Sequence, residues 1–120
     1  MTKRMPPASW DKILSTYDRI PERYGDFALM REIVKRLGHD PAVASLTAFT
    51  SHFSLCLSSK SRYEDQWTSP LMVVEAIPNS SAIEVSVRLL NRKSESRTAR
   101  ELDECLQAVH ALLPLLIAEP

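Results

Sequence analysis

The chain has 120 residues, 44% of them apolar and 25% charged, with fifteen basic side chains balanced by fifteen acidic ones. That length suits one domain with a single core, and zero net charge removes any overall field that would draw the chain to nucleic acid or an anionic membrane. Gly25 and Gly38 are the only two glycines, so no glycine-rich loop exists to bring backbone amides against a phosphate, which excludes the P-loop and dinucleotide fingerprints.

Cys56 and Cys105 are too few for a disulfide framework, and no charged-then-apolar leader follows Met1. A soluble protein of the reducing cytoplasm is the expectation. The longest apolar run, residues 111–118, is broken by Pro114 and is far short of the roughly 20 residues of a membrane span. No membrane partner is expected.

Residues 1–7 are polar or proline and read as a flexible N-terminal arm; residues 8–120 read as one α+β domain. Ser9 is placed to cap a helix carrying Trp10, Ile13, Leu14 and Tyr17 at helical spacing, with Pro21 ending it. Asp26 is a candidate cap for a second helix with Phe27, Met30, Ile33, Val34 and Leu37 on one face, and Gly38 reads as a left-handed stop. Asp40 and Pro41 have the cap-then-proline order of a further helical turn.

From Thr47 to Ser58 apolar and polar residues alternate strictly, with Phe49, Phe53, Leu55 and Leu57 at odd positions, which predicts one half-buried strand. A polar loop over 59–69 leads to strands at 71–77 and 82–90, joined by Pro78, Asn79, Ser80 and Ser81. A four-residue connection sets Ala76 against Ile83, Val74 against Val85 and Met72 against Val87 on one face. It sets Glu75 against Glu84 and Val73 against Ser86 on the other. Thr98 and Glu101 match a capping box, and Leu102, Leu106, Val109, Leu113 and Leu116 form the stripe of a long final helix that Pro114 should kink or end. The predicted order is α-α-β-β-β-α, a two-layer domain in which a three-stranded antiparallel meander is packed by the C-terminal helix.

Three constellations are candidates for function. His52, Glu75 and Glu84 share the mixed sheet face, where paired carboxylates have the geometry to split their pKa values for acid–base work. His52 and Cys56, four strand residues apart, would sit about 13 Å from each other at ~3.3 Å per residue, too far for one metal ion. Cys105 and His110 diverge by about 140° around a helix, and His39 beside Gly38 suits a helix-end role. No metal site and no cofactor are expected, and no catalytic residue is assigned.

The second constellation is basic: Arg88, Arg92, Lys93, Arg97 and Arg100 run toward the final helix and are candidate anion-binding residues. A β, β, β, α order with basic residues before the last helix is similar in outline to double-stranded-RNA-binding domains, over at most the second half of the chain. The family's glycines and dense lysine run are absent. That resemblance implies nucleic-acid or phosphate binding through the basic loop.

The third is apolar. Leu71, Val73 and Ile77 lie opposite the face assigned to the core, and Leu115, Leu116 and Ile117 extend past Pro114. Contiguous exposed apolar area marks interfaces, so these six are candidate protein-binding residues. The leading expectation is a non-catalytic protein-interaction or adaptor module that self-associates as a homodimer. Nucleic-acid binding and a small-ligand or enzyme site on the mixed face are the alternatives.

Overall fold

A computed structural model describes residues 10–21, 27–60, 65–66, 69–78, 80–89 and 94–118, and in them the α+β class is realised as a five-stranded antiparallel sheet with three α-helices. The helices are α1 (Trp10–Asp18), α2 (Ala28–Leu37) and α3 (Leu102–Ala118). The strands are β1 (Thr47–Ser51), β2 (Ser54–Ser58), β3 (Leu71–Ala76), β4 (Ile83–Arg88) and β5 (Glu95–Ala99), in spatial order β1-β2-β3-β4-β5. Each strand pairs with the next in the chain, so the meander needs no crossover.

The sheet has two more strands than expected. The stretch 47–58 is not one strand: it turns back at His52 and Phe53, whose φ angles of 51° and 72° place Ser51 opposite Ser54. Positive φ at both central residues is what a type I′ hairpin turn requires. Such a turn reverses the parity of the pattern. Ala48 and Thr50 face the same side as Leu57 and Leu55, while Phe49 joins Cys56 on the other. The expected common face of Phe49, Phe53, Leu55 and Leu57 is therefore corrected: Leu55 and Leu57 are fully buried, and Phe53 sits in the turn at 41% exposure. Neither turn residue is glycine or asparagine, so the usual sequence signal is missing.

The fifth strand, β5, escapes the period-2 pattern because four of its five residues are exposed and only Ala99 is buried. An edge strand with nothing to bury shows no apolar alternation. Its formation also takes Thr98 out of the expected capping box. Helix α3 starts at Leu102, its first turn closed by the Cys105 N–H donating to the Glu101 carbonyl at 3.0 Å.

The β3–β4 register is the expected one, with Met72, Val74 and Ala76 opposite Val87, Val85 and Ile83, and Val73 and Glu75 opposite Ser86 and Glu84. The Ile77 N–H donates to the Ala82 carbonyl at 3.0 Å and closes the hairpin. Helix α2 buries Met30, Ile33, Val34 and Leu37 as its spacing predicts, with Phe27 just before it. The arm at 1–7 and the proposed caps Ser9 and Asp26 lie outside the described residues. Asp40 accepts the Ala42 N–H at 2.9 Å and starts a 3-10 turn at Pro41–Val43.

Two expectations about helix ends are corrected, one of them in part. Gly38 is not left-handed: its φ is −62° and its ψ is −20°. Glycine serves closeness there, since a Cβ would lie 3.2 Å from the Trp10 Cβ and 3.3 Å from the Val34 carbonyl oxygen, so α1 rests against the end of α2. Of the kink or stop expected at Pro114, the stop does not occur, since α3 continues to Ala118. Pro114 and His110 both lie on the exposed side, where the carbonyl that proline deprives of a partner is open to water.

Residues of all three helices join one core with a single sheet face: Ile13, Ile33 and Val109 pack with Leu55, Leu57, Met72, Val74 and Val85. A further link ties the N-terminal helices to the β1–β2 turn. The buried Tyr17 hydroxyl donates to the Phe53 carbonyl at 2.8 Å, and Phe27 lies between the Tyr17 and Phe53 rings at centroid distances of 6.0 and 5.7 Å. The layers are therefore α1, α2 and α3 on one side and the sheet on the other, and among the described residues none of these three helices covers the second sheet face. Among the described residues no helix is long and apolar enough to cross a membrane.

Candidate functional site on the open sheet face

Alternation along five strands sends every second residue to the face opposite α1, α2 and α3, and the registers align them in rows. Phe49, Cys56, Val73, Ser86 and Ser96 lie side by side across all five strands. Thr47, Ser58, Leu71 and Arg88 form the next row. On the other side of the central row come Ser51 and Ser54 on the first hairpin and Glu75, Glu84 and Thr98 across β3, β4 and β5. The face is thus apolar from β1 to β3 and polar around that centre.

One corner is closed. Ser58 and Leu71, where the chain leaves β2 and enters β3, are 0% and 2% exposed despite lying opposite the core. The Ser58 hydroxyl accepts the Lys60 N–H at 3.0 Å, and the buried Gln66 amide donates to the Lys60 carbonyl at 3.2 Å. Those bonds hold the described part of the β2–β3 connection against its own start.

Beyond that corner lies a shallow depression of about 380 Å³, lined by Ser51, His52, Ser54 and Cys56 from the first hairpin and by Val73, Glu75, Ser86 and Arg88. His52 and Cys56 do share this depression, but His52 reaches it from the turn and not from a strand. The Ser54 hydroxyl donates to the Glu75 carboxylate at 3.0 Å. Burial pushes the Cys56 thiol up to about 11, with Arg88 opposing the shift and Glu75 adding to it. A thiol held protonated at neutral pH is a poor nucleophile. Among the described residues His52 makes no hydrogen bond to a serine or to Cys56, so no nucleophile–base pair is assembled here.

The described basic residues do not converge. Arg88 extends the Leu71 row on the open face, whereas Arg97 is opposite Val85 and belongs to the helix-side face at the sheet edge. Arg100 follows β5, with its N–H 3.4 Å from the Glu104 carboxylate. Arg92 and Lys93 lie outside the described residues. The anticipated loop is in part strand β5, whose pairing sets Arg97 on the face opposite that of Arg88.

The six apolar candidates also separate. Leu116 is in the core at 0% exposure and Leu71 is buried at 2%, so neither offers a partner its side chain. Val73, Ile77 and Leu115 are half-buried and Ile117 is 56% exposed. Cys105 is fully buried, its thiol pushed up to about 11 chiefly by burial. His110 instead meets Asp40 at 2.6 Å, a contact between α3 and the 3-10 turn that no sequence spacing suggested. His39 lies with Trp10, Lys35 and Gly38 at a second hollow of about 280 Å³ between α1 and α2. Among the described residues no three His, Cys, Asp or Glu side chains are grouped to hold a metal ion.

The chain matches no protein-family model, and neither a curated protein nor a solved structure shows significant similarity to it.

Proposed function

We propose that the protein is a non-catalytic interaction module that presents the open face of its sheet to a protein partner and self-associates. One observation supports the reading: among the described residues α1, α2 and α3 all pack on the same sheet face, and the half-buried Phe49 and Val73 lie on the opposite one, on either side of the buried Cys56. An apolar centre bordered by serines, carboxylates and Arg88 has the layout of a protein-binding patch, with apolar groups inside and polar groups at the rim. Ile117 is a separate exposed apolar residue near the end of α3, whereas Leu115 packs against the core.

This reading is favoured over nucleic-acid binding because Arg88 and Arg97 lie on opposite faces. It is favoured over thiol chemistry because the Cys56 thiol is buried and stays protonated.

The test is comparative capture by the full-length chain and by Val73→Glu, which places a charge in the middle of the row. Leu116 is unsuitable for such a substitution because a charge there would enter the core. Val73→Glu is expected to keep the wild-type circular-dichroism spectrum and to lose the proteins that the wild type retains. Equal capture by a folded Val73→Glu chain would remove the open face from consideration.

A further inference from the structure

Self-association requires a surface, and the geometry points to the free edge of β5, where a second copy of this chain pairs antiparallel about Ser96. This inference rests on the self-association proposed above and adds its location and register.

Strand β5 is the last of the sheet, so its outer N–H and C=O groups have no strand neighbour among the described residues. Such an edge is a template for another strand. The two edges differ in access. Glu95, Ser96, Arg97 and Thr98 are all exposed, whereas no residue of β1 at the opposite edge is.

Charge on an edge strand usually prevents pairing, because a single sign repels itself. Here the two charges are opposite in sign, two residues apart and on the same side of the strand. A two-fold axis perpendicular to the sheet keeps each side chain on its own face, so opposed residues must both be odd or both be even. Centring the axis on Ser96 sets Glu95 against Arg97 of the second copy, Arg97 against its Glu95, and Thr98 against its Ser94. Centring it on Glu95 or on Arg97 brings like charges face to face, and centring it on Thr98 leaves Arg97 against Ala99. Among the registers that set residues of β5 against one another, only the one centred on Ser96 forms two opposite-charge pairs. The product is a continuous ten-stranded sheet, made from two five-stranded halves, with all helices on one side and the two open faces joined on the other.

Light scattering after size exclusion, on the full chain and three kinds of variant, tests this. In an antiparallel pair, Ser96 and its symmetry mate lie about 4.5–5.5 Å apart at Cα, within the range a disulfide spans. Ser96→Cys is therefore expected to form a covalent dimer under mild oxidation. Cys56 and Cys105 are buried at 2% and 0% exposure, so the cross-link reports position 96. Arg97→Glu and Glu95→Arg each turn both pairs repulsive and are expected to weaken the dimer about tenfold or more. The double variant Glu95→Arg/Arg97→Glu exchanges the signs and is expected to return it to near the wild-type affinity. A wild-type dimer that Arg97→Glu leaves intact and Ser96→Cys does not cross-link overturns this interface while self-association stands. A wild-type monomer overturns both.

Discussion

The β1–β2 turn offers a quantitative test, because its two left-handed residues should respond in opposite directions. His52 and Phe53 have φ angles of 51° and 72°, a region that costs a residue with a Cβ about 1–2 kcal/mol. His52 is exposed, so glycine there removes the strain and gives up only its larger unfolded-chain entropy, about 0.5–1 kcal/mol. His52→Gly should therefore stabilise the fold by about 0.5–1 kcal/mol. Phe53 releases the same strain but holds a ring that is 41% exposed and stands edge-to-face with Phe27 at 5.7 Å. About 120 Å² of that ring is withdrawn from water, which at ~25 cal/mol per Å² is about 3 kcal/mol, and the ring pair adds about 1 kcal/mol. Against the released strain, Phe53→Gly should destabilise by about 2–4 kcal/mol. Urea unfolding with an m-value near 1.5 kcal/mol/M would move the midpoint up by about 0.3–0.7 M for His52→Gly and down by about 1.3–2.7 M for Phe53→Gly. A rise for Phe53→Gly, or no rise for His52→Gly, would refute the account of a strained turn held by the Tyr17–Phe27–Phe53 contact.

Two further outcomes are expected. The His110 hydrogen bond, helped by the Ala42 N–H, holds the Asp40 carboxyl below its ordinary range, so its stabilisation is present above the unfolded-state value near 3.9 and is lost as pH falls through the lower folded-state value. Asp40→Asn keeps a cap for Ala42 but loses the charge, so it should cost about 0.5–1 kcal/mol at pH 6 and nothing at acid pH in denaturant titrations; a gap constant from pH 6 to 2 would contradict this. Cys56 and Cys105, both buried with thiols pushed up to about 11, should resist a thiol reagent at pH 7.5 until urea unfolds the chain, whereas prompt labelling of either in native buffer would show that its site opens to solvent.

How much of this was legible in the sequence depended on what each segment buries. Helix α2, the apolar stripe of α3 and the β3–β4 register follow from the spacing of Met30, Ile33, Val34 and Leu37, of Val109 and Leu116, and of Met72, Val74, Val85 and Val87. All of these are in the core, where burial imposes the period. Strand β5 buries only Ala99, so its pattern has nothing to report. The candidate site is half visible in the sequence: Cys56, Val73 and Glu75 lie on the expected face, but Phe49 lies on the face opposite the one its spacing suggests.

The sequence by itself determined the α+β class, the apolar faces and the central hairpin, because hydrophobic periodicity is a local property that a few neighbouring residues express. Tertiary structure decided the reversal at His52 and Phe53, since the Tyr17 hydroxyl and the Phe27 ring reach that turn from helices far away in the chain. It also decided which surface stays open. The mixed face of the sheet was evident from alternation, but only the packing of α1 and α2 beside α3 on the opposite side established that these three helices leave it uncovered. Side-chain period says how many faces an element has, and the identity of what covers each face is a long-range fact.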